Sequence, residues 1–270
     1  MKYPEYLHDK TIAVWDIEAD WIPSTIIYCI SVAIVKNGIL LEKAKVFTYK
    51  WTPYSQGALF EAIQLINACD YHCGHNIIGY DVQMVRKLLL TDITPRPLDT
   101  LILAKIIFSK DDLYAMDPNL GIDKDLYGSY SAKAFGQRMN DFKIDYTDFS
   151  HLNEEMAIYC NQDTDLTAKL LIFLMDKENF PIEAVVDIEH KAADIIAQQT
   201  EQGFYLDIDM ARKLNTDLLQ EKGELSRKLL DIFHPKFMAD GPVKSYKKQS
   251  IVKKYLPNNH YIPLIGTKDD

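Results

Sequence analysis

Two strand-like runs flank the tripeptide Lys36-Asn37-Gly38 near the start of the chain. Residues 26–35 (IIYCISVAIV) are almost wholly apolar and rich in β-branched side chains, and residues 39–49 (ILLEKAKVFTY) follow the tripeptide. Asn-Gly between two such runs is the strongest short-range signal for a β-hairpin, because both residues tolerate the left-handed backbone that a tight hairpin turn needs. The sequence therefore predicts an antiparallel strand pair here.

Strand and helix patterns alternate over the first hundred residues. Residues 11–18 (TIAVWDIE) predict a strand before the hairpin, and residues 71–74 predict another strand. Helical spacing of apolar residues marks 56–68 and 81–90. This order of three strands, a helix, a strand and a helix predicts the α/β class, with a mixed sheet flanked by helices, rather than a helix bundle or a sandwich.

Later segments are mostly helical. Helices are predicted over residues 101–108, 153–174, 185–202 and 209–233, with irregular structure over 109–150. The segment 177–181 (KENFP) has the composition of a linker. We therefore expect a domain of residues 1–180 and a helical extension of residues 181–270.

Composition and charge restrict the setting in which the chain works. The apolar run 26–35 is far shorter than the roughly 18 residues of a membrane span, and MKYPEYLHDK at the amino terminus lacks the apolar core of a signal peptide. Four cysteines in 270 residues do not form a disulfide scaffold. A cytoplasmic protein without a membrane partner is expected.

The net charge at first argues against a nucleic-acid partner. It is −9 overall, although residues 241–270 hold six Lys and only two Asp. Proteins that hold DNA through its phosphates usually carry a basic surface. The acidic excess of residues 1–240 is compatible either with a solvated surface or with a cluster of carboxylates that binds metal cations, and composition does not choose between them.

Three acidic motifs follow one another along the chain: D-x-E in a strand, N-x3-Y-D at a strand-to-helix junction and Y-x3-D in a helix. Their residues are Asp16 and Glu18, then Asn76 and Asp81, then Tyr159 and Asp163. Positions two apart in a strand, or four apart in a helix, share one face. Each motif alone is most often a strand edge, a helix cap or a surface pair. Together, their four carboxylates suit two Mg²⁺ or Mn²⁺ ions, which can clamp a phosphodiester for in-line hydrolysis.

This ordered set resembles the proofreading 3′-5′ exonuclease domain of family A DNA polymerases, of the type named DEDDy. The resemblance implies an RNase H-like fold with two divalent cations. It also implies that Asp16, Glu18 and Asp163 ligate one cation, that Asp81 helps to hold the other, and that Tyr159 orients the attacking water.

The resemblance also implies substrate contacts around these motifs. Asn76 is expected to contact the 3′-terminal nucleotide, and its neighbour His75 lies close enough to touch the substrate. Trp21 and Ile22 follow the first motif and are candidates for wedging against the terminal base, since stacking on a base is tolerant of sequence; an ordinary core or lid role is the alternative. Candidate phosphate contacts, with a solvated tail as the equal alternative, are Lys244, Lys247, Lys248, Lys253 and Lys254. The Cys and His residues of 69–75 (CDYHCGH) lack zinc-site spacing and predict a buried strand instead.

Similarity to the family continues beyond the catalytic motifs. Residues 187–207 (DIEHKAADIIAQQTEQGFYLD) are similar to the segment that opens the polymerase region of phage replicative members, so the extension is expected to resemble the base of a polymerase thumb. The polymerase motifs of the DYSxIELR, KxxxNFGxxYG and HDE types are not found in the 270 residues, so no polymerase activity is expected from this chain alone. We expect either a split subunit with a separate polymerase chain or a fragment of a longer polymerase.

The predicted function is metal-dependent removal of nucleoside 5′-monophosphates from a single-stranded or frayed 3′ end of DNA. This activity would proofread for a phage-type polymerase in the cytoplasm of an infected bacterium. Two alternatives remain open: an exoribonuclease with the same site, and a catalytically silent nuclease-like subunit that docks a polymerase.

Overall fold

A computed structural model describes residues 3–20 and 23–233, together with the backbone of residues 236–237 and 261–262. The strands are β1 (Thr11–Ala19), β2 (Ile27–Lys36), β3 (Ile39–Thr48), β4 (Tyr71–Gly74), β5 (Arg96–Asp99), β6 (Lys236–Phe237) and β7 (Tyr261–Ile262). The helices are α1 (Leu59–Asn67), α2 (Asp81–Leu88), α3 (Thr100–Ile107), α4 (Lys110–Leu120), α5 (Ala132–Arg138), α6 (Glu154–Met175), α7 (Glu183–Gln202) and α8 (Ile208–Ile232).

A five-stranded mixed sheet organises the first part of the chain. Its strand order is β3-β2-β1-β4-β5, with antiparallel pairing among the first three strands and parallel pairing from β1 onwards. The predicted hairpin is confirmed, because Asn37 and Gly38 both have positive φ angles, 50° and 72°, between the paired residues Lys36 and Ile39. The predicted α/β class, with a mixed sheet flanked by helices, is confirmed.

The sheet has a hydrophobic core on each face. Ile12 and Val14 of β1 join the core built with α3 and α6, whereas Trp15 and Ile17 join the core built with α1 and α2. This alternation follows from the two-residue period of a strand. At the end of β1, the face that Ile12 and Val14 make apolar becomes acidic.

Residues 109–150 are more regular than predicted, since they contain α4 and α5. Both helices are short and begin at a serine whose hydroxyl accepts a backbone N–H. They are joined by a buried ion pair, with Arg138 Nε 2.7 Å from Asp117 Oδ1 and both side chains at most 1% exposed. These helices could not be predicted because the segment has no long apolar periodicity. The ion pair and the two serine caps stabilise it instead.

Strand β5 was also absent from the sequence prediction. It is only four residues long and contains Pro97, which removes one backbone donor from the ladder. It lies at an edge of the sheet, where such a loss is tolerated.

The chain divides into two compact units, residues 1–203 and residues 204–270. Helix α7 is therefore grouped with the first unit, whereas the sequence division at residue 180 groups it with the extension. Within the first unit, Val186 of α7 is buried in the core next to α3 and α6. In the second unit, α8 is exposed along its length. Among the described residues, no helix is long and apolar enough to cross a membrane.

Candidate active site

Strand β1 ends in two carboxylates on one face of the sheet. Glu18 is 7% exposed and Asp16 is half-buried, and both point away from the core that holds Trp15 and Ile17. The shared face predicted for the D-x-E motif is therefore confirmed as geometry. The apolar side chains behind it hold the strand in place.

Helix α6 crosses this face and adds residues of the third motif. It begins at the predicted cap, Asn153, whose side chain accepts the Met156 N–H at 2.8 Å. One turn of the helix then presents Tyr159 and Asp163 towards the end of β1. Cys160, three residues before Asp163 and so on a neighbouring part of the same helix face, has its sulfur within 4.8 Å of carboxylate oxygens of Asp16 and Glu18.

Asp81, at the start of α2, also lies against the end of β1. Because β1 and β4 are parallel, their carboxyl ends meet at one edge of the sheet, and α2 follows β4 directly. The alternative interpretation of Asp81 as a helix cap is wrong, because the cap position of α2 is Tyr80. The Asp81 carboxylate instead accepts the backbone N–H of Ile17 at 3.2 Å. This bond fixes it against β1.

The gathered carboxylates raise one another's pKa values. Burial, followed by the charge of Asp163, raises the pKa of Asp16 to about 7. Burial, followed by the charge of Asp16, raises the pKa of Glu18 to about 10. The pKa of Asp81 also lies well above its usual value, for the same two reasons. A buried site that resists ionisation in this way favours a positive partner.

One oxygen of the Asp163 carboxylate has no hydrogen-bond partner in the part of the chain that the structure describes. Asp163 is 8% exposed, and the oxygen without a partner among the described residues is the buried Oδ1. A buried carboxylate oxygen without a hydrogen bond is costly and rare. Four carboxylates are the oxygen donors that Mg²⁺ and Mn²⁺ prefer, so the residues fit the two cations that the resemblance implies.

Cys160 also lies within this cluster. Its sulfur and the carboxylate oxygens of Asp16 and Glu18 all lie within 4.8 Å of one another, the only such group of three metal-capable side chains in the described part of the chain. Burial raises the pKa of the Cys160 thiol, which donates instead to the backbone oxygen of Asp16 at 3.7 Å. A protonated thiol is a poor metal ligand, so the oxygen donors define the site. The buried strand predicted within residues 69–75 is strand β4, in which Tyr71–Gly74 are all buried.

Lys143 is a site residue that no sequence motif marks. Its ammonium lies 2.5 Å from Asp163 Oδ2 and 4.9 Å from the centroid of the Tyr159 ring. Burial alone would lower its pKa, but Asp163 outweighs that effect and the pKa of Lys143 is raised, so the group stays charged. A single lysine in a segment without periodicity gives no spacing signal from which it could have been found.

Tyr159 is held by aromatic neighbours. The ring of Tyr146 stacks on it with centroids 5.3 Å apart, and Phe149 meets it edge-on at 6.3 Å. Burial raises the pKa of the Tyr159 phenol above its ordinary value, so the hydroxyl keeps its proton and can donate a hydrogen bond. The ring has little freedom to turn.

The predicted substrate residues are placed unequally. Asn76 is exposed beside the site and adopts a left-handed backbone with φ 63°. His75 is turned inwards, with Nδ1 2.9 Å from Thr100 Oγ1, and burial lowers its pKa to about 4. Trp21 and Ile22 lie outside the described residues. So do the five candidate lysines Lys244, Lys247, Lys248, Lys253 and Lys254.

Comparison with known proteins finds relatives among phage polymerases, while no protein-family model matches the chain. The chain is 27% identical over 257 residues to the DNA-directed DNA polymerase of Escherichia phage T7, covering 77% of this chain and 36% of that protein. It is 28% identical over 220 residues to the DNA-directed DNA polymerase of Enterobacteria phage T3, covering 65% of this chain and 31% of that protein. The chain is homologous to these polymerases and spans about a third of their length.

A solved structure with some likeness is the family B DNA polymerase from the hyperthermophilic archaeon Pyrobaculum calidifontis. The two chains share 13% sequence identity with a TM-score of 0.35, over 72% of this chain and 29% of that one. A likeness at this level does not establish a shared fold.

Proposed function

We propose that this chain is a divalent-metal-dependent 3′-5′ exonuclease that releases nucleoside 5′-monophosphates from the 3′ end of DNA. The observation that carries the proposal is the convergence of Asp16, Glu18, Asp81 and Asp163 from β1, α2 and α6. Asp81 is bonded to the backbone of β1, α6 meets the Asp16 and Glu18 carboxylates through Cys160, and Asp163 Oδ1 has no partner among the described residues. Homology to phage DNA polymerases supports a replication setting, in which the activity proofreads.

The four carboxylates would hold two divalent cations. Asp16, Glu18 and Asp163 would supply oxygen ligands to one cation, and Asp81 would contribute to the second. When bound, the cations supply Lewis acidity and charge neutralisation for hydrolysis of a phosphodiester. Neutralisation also relieves the mutual repulsion that raises the carboxylate pKa values.

Tyr159 and Lys143 have separate tasks beside the carboxylates. The protonated Tyr159 hydroxyl, held by the Tyr146 ring, would orient the attacking water through a hydrogen bond. The Lys143 ammonium holds Asp163 in place and supplies positive charge where the phosphate develops negative charge. Asn76 would hold the terminal nucleotide so that the last phosphodiester faces these groups.

The substrate and context are part of the same proposal. DNA with a single-stranded or frayed 3′ end is the expected substrate in the cytoplasm of an infected bacterium. Residues 1–180 would form the nuclease domain and residues 181–270 a thumb-like extension. The polymerase catalytic residues would come from a separate chain or from further residues of a longer protein.

Hydrolysis of a 3′-labelled single-stranded DNA with Mg²⁺ tests the proposal. The double variant Asp16→Ala with Glu18→Ala is expected to lose hydrolysis. A matched control, Glu154→Ala with Glu155→Ala, removes two exposed carboxylates from the first turn of α6 and is expected to retain hydrolysis. Equal activity in both double variants would disprove the assignment.

Two further measurements separate the alternatives. Matched DNA and RNA oligonucleotides distinguish a deoxyribonuclease from an exoribonuclease, since faster cleavage of RNA would favour the latter. Wild-type protein that cleaves neither substrate with Mg²⁺ or Mn²⁺ would favour a silent docking subunit.

Tyr159→Phe is expected to slow hydrolysis while retaining metal binding, because it removes only the hydroxyl.

A further inference from the structure

The buried carboxylate of Asp99 holds together two segments near the candidate site. Oδ1 accepts the backbone N–H of Asn76 at 3.0 Å and that of Leu101 at 2.9 Å, and Oδ2 accepts the N–H of Ile78 at 3.2 Å. Asp99 is 1% exposed, so these bonds are shielded from water. The carboxylate therefore ties the turn at residues 76–78 to the start of α3.

The backbone conformation of the turn at residues 76–78 has to be stabilised by contacts with other segments. Asn76 has φ 63°, in the left-handed region that L-residues other than Gly populate only at some energetic expense. The turn also folds back closely on the end of β4, since a Cβ at Gly74 would lie 2.3 Å from Ile77 Cδ1. Such a conformation persists only where its surroundings fix it.

Helix α7 contacts Asp99 through one buried imidazole. His190 Nε2 accepts the backbone N–H of Asp99 at 2.7 Å, and Nδ1 lies 2.7 Å from the carbonyl oxygen of Val186. Because Nε2 accepts, the proton lies on Nδ1 and the ring is neutral. The imidazole is 3% exposed. A buried backbone donor that lost this acceptor would be left unsatisfied.

The other polar anchors of α7 are exposed. Arg96 pairs with Glu183 and Asp187 near the start of the helix, and Lys87 pairs with Glu201 near its end. Exposed ion pairs contribute little because water and salt screen them. The bond from Asp99 to His190 is the anchor that also leads to the Asn76 turn.

We propose that His190 and Asp99 are positioning residues that fix the Asn76 turn, so that the docking of α7 determines how tightly the site holds the 3′ end of the substrate. The role given to Asn76 rests on the proposed function. The path runs from the imidazole to the Asp99 backbone, through the Asp99 carboxylate, and to the amides of Asn76 and Ile78. Neither His190 nor Asp99 needs to touch the substrate.

A double-mutant cycle between His190 and Asn76 tests this path. His190→Leu retains bulk but removes the acceptor, and it is expected to raise KM for a single-stranded DNA roughly tenfold while kcat changes less than about threefold. Asn76→Ala is expected to weaken binding to a similar degree. If His190 acts through Asn76, the double variant should bind no more than about twofold more weakly than the weaker single variant.

Conservative and control variants define the remaining outcomes. His190→Gln offers a carbonyl acceptor and is expected to recover most of the binding, whereas Lys87→Ala breaks an exposed anchor of α7 and should leave KM within about twofold. If His190→Leu does not fold, Asp99→Asn replaces one acceptor oxygen of the turn with an amide and should give the same rise in KM. Thermal unfolding identifies folded variants.

Two results would overturn the proposal. One is a double variant whose losses simply multiply, and the other is a His190→Leu variant with lowered thermal stability but an unchanged KM. The dissociation constant of a labelled oligonucleotide is measured with Ca²⁺ in place of Mg²⁺, so that binding in each variant is determined without hydrolysis. Wild-type protein that fails to cleave DNA would refute the proposed function, whereas additive binding losses in an active enzyme would refute only the positioning path.

Discussion

Replacing Glu18 with Gln is expected to stabilise the metal-free protein. The Glu18 carboxyl is 7% exposed, and burial followed by the charge of Asp16 raises its pKa from 4.5 to about 10. A group whose pKa is raised on folding favours the folded state at low pH, and this contribution is lost as pH rises through the folded pKa. At pH 7.5, Glu18 is therefore ionised in the unfolded chain but protonated in the fold.

The size of the effect follows from the pH interval. From pH 4.5 to pH 7.5, one proton difference changes the unfolding free energy by about 4 kcal/mol, at about 1.4 kcal/mol per pH unit. Coupling between Glu18 and Asp16 spreads part of this over both groups, so Glu18→Gln should gain about 2–4 kcal/mol. For a unit of this size the gain corresponds to a rise in Tm of roughly 4–16 °C.

Thermal unfolding in EDTA at pH 7.5 measures this gain, and three comparisons check its cause. The gain should vanish near pH 4, where Glu18 is protonated in both states. Glu155→Gln, at an exposed position on α6, should leave Tm within about 2 °C. Mg²⁺ should stabilise the wild type more than Glu18→Gln, because a ligand is lost. A Glu18→Gln protein that is less stable than wild type in EDTA would refute the electrostatic reasoning.

Three further outcomes follow from the site and the fold. Lys143→Met should lower kcat about 100-fold, because it removes the charge beside Asp163; this is measured by single-turnover hydrolysis. Arg138→Met should lower the unfolding free energy by about 3–5 kcal/mol, measured by urea denaturation, since it leaves the Asp117 charge buried and unpaired. Mg²⁺ affinity should rise with pH across the pKa of Asp16, about 7, with release of protons measurable by calorimetry in two buffers, because the cation binds the ionised carboxylate.

The two substitutions have matched control variants, and the Mg²⁺ prediction has a result that would contradict it. Lys133 makes an exposed ion pair with Asp145, so Lys133→Met should leave kcat unchanged, and equal losses at both lysines would contradict the role of Lys143. Arg86→Met breaks an exposed pair with Asp92 and should lower the unfolding free energy by less than about 1 kcal/mol. An Mg²⁺ affinity that does not change between pH 6 and pH 8 would contradict the raised pKa of Asp16.

Local periodicity explains why the centre of the site could be predicted. Asp16 and Glu18 share a face because a strand has a two-residue period, and Tyr159 and Asp163 share one because a helix turn has about four residues. The Asn37-Gly38 turn fixes the pairing of the next two strands. In each case the relevant contacts are close in sequence, so the pattern alone contains them.

The contacts that could not be predicted are those between distant segments. Lys143 reaches Asp163 from a loop without periodicity, and the Arg138–Asp117 pair is formed by residues whose spacing follows no helix or strand repeat. In the sequence, nothing distinguishes His190 from the other polar residues of the predicted helix. Its contact with Asp99 depends on how α7 lies on β5, which is a property of tertiary packing.

The acidic net charge is compatible with a nucleic-acid substrate once the geometry of the site is considered. Four carboxylates of the acidic excess converge in one place, and burial with mutual repulsion already suppresses part of their charge. Two divalent cations would balance all four, and the Lys143 ammonium would then leave a local positive excess where a phosphate enters. The net charge of −9 therefore does not exclude a phosphate-bearing substrate at this site.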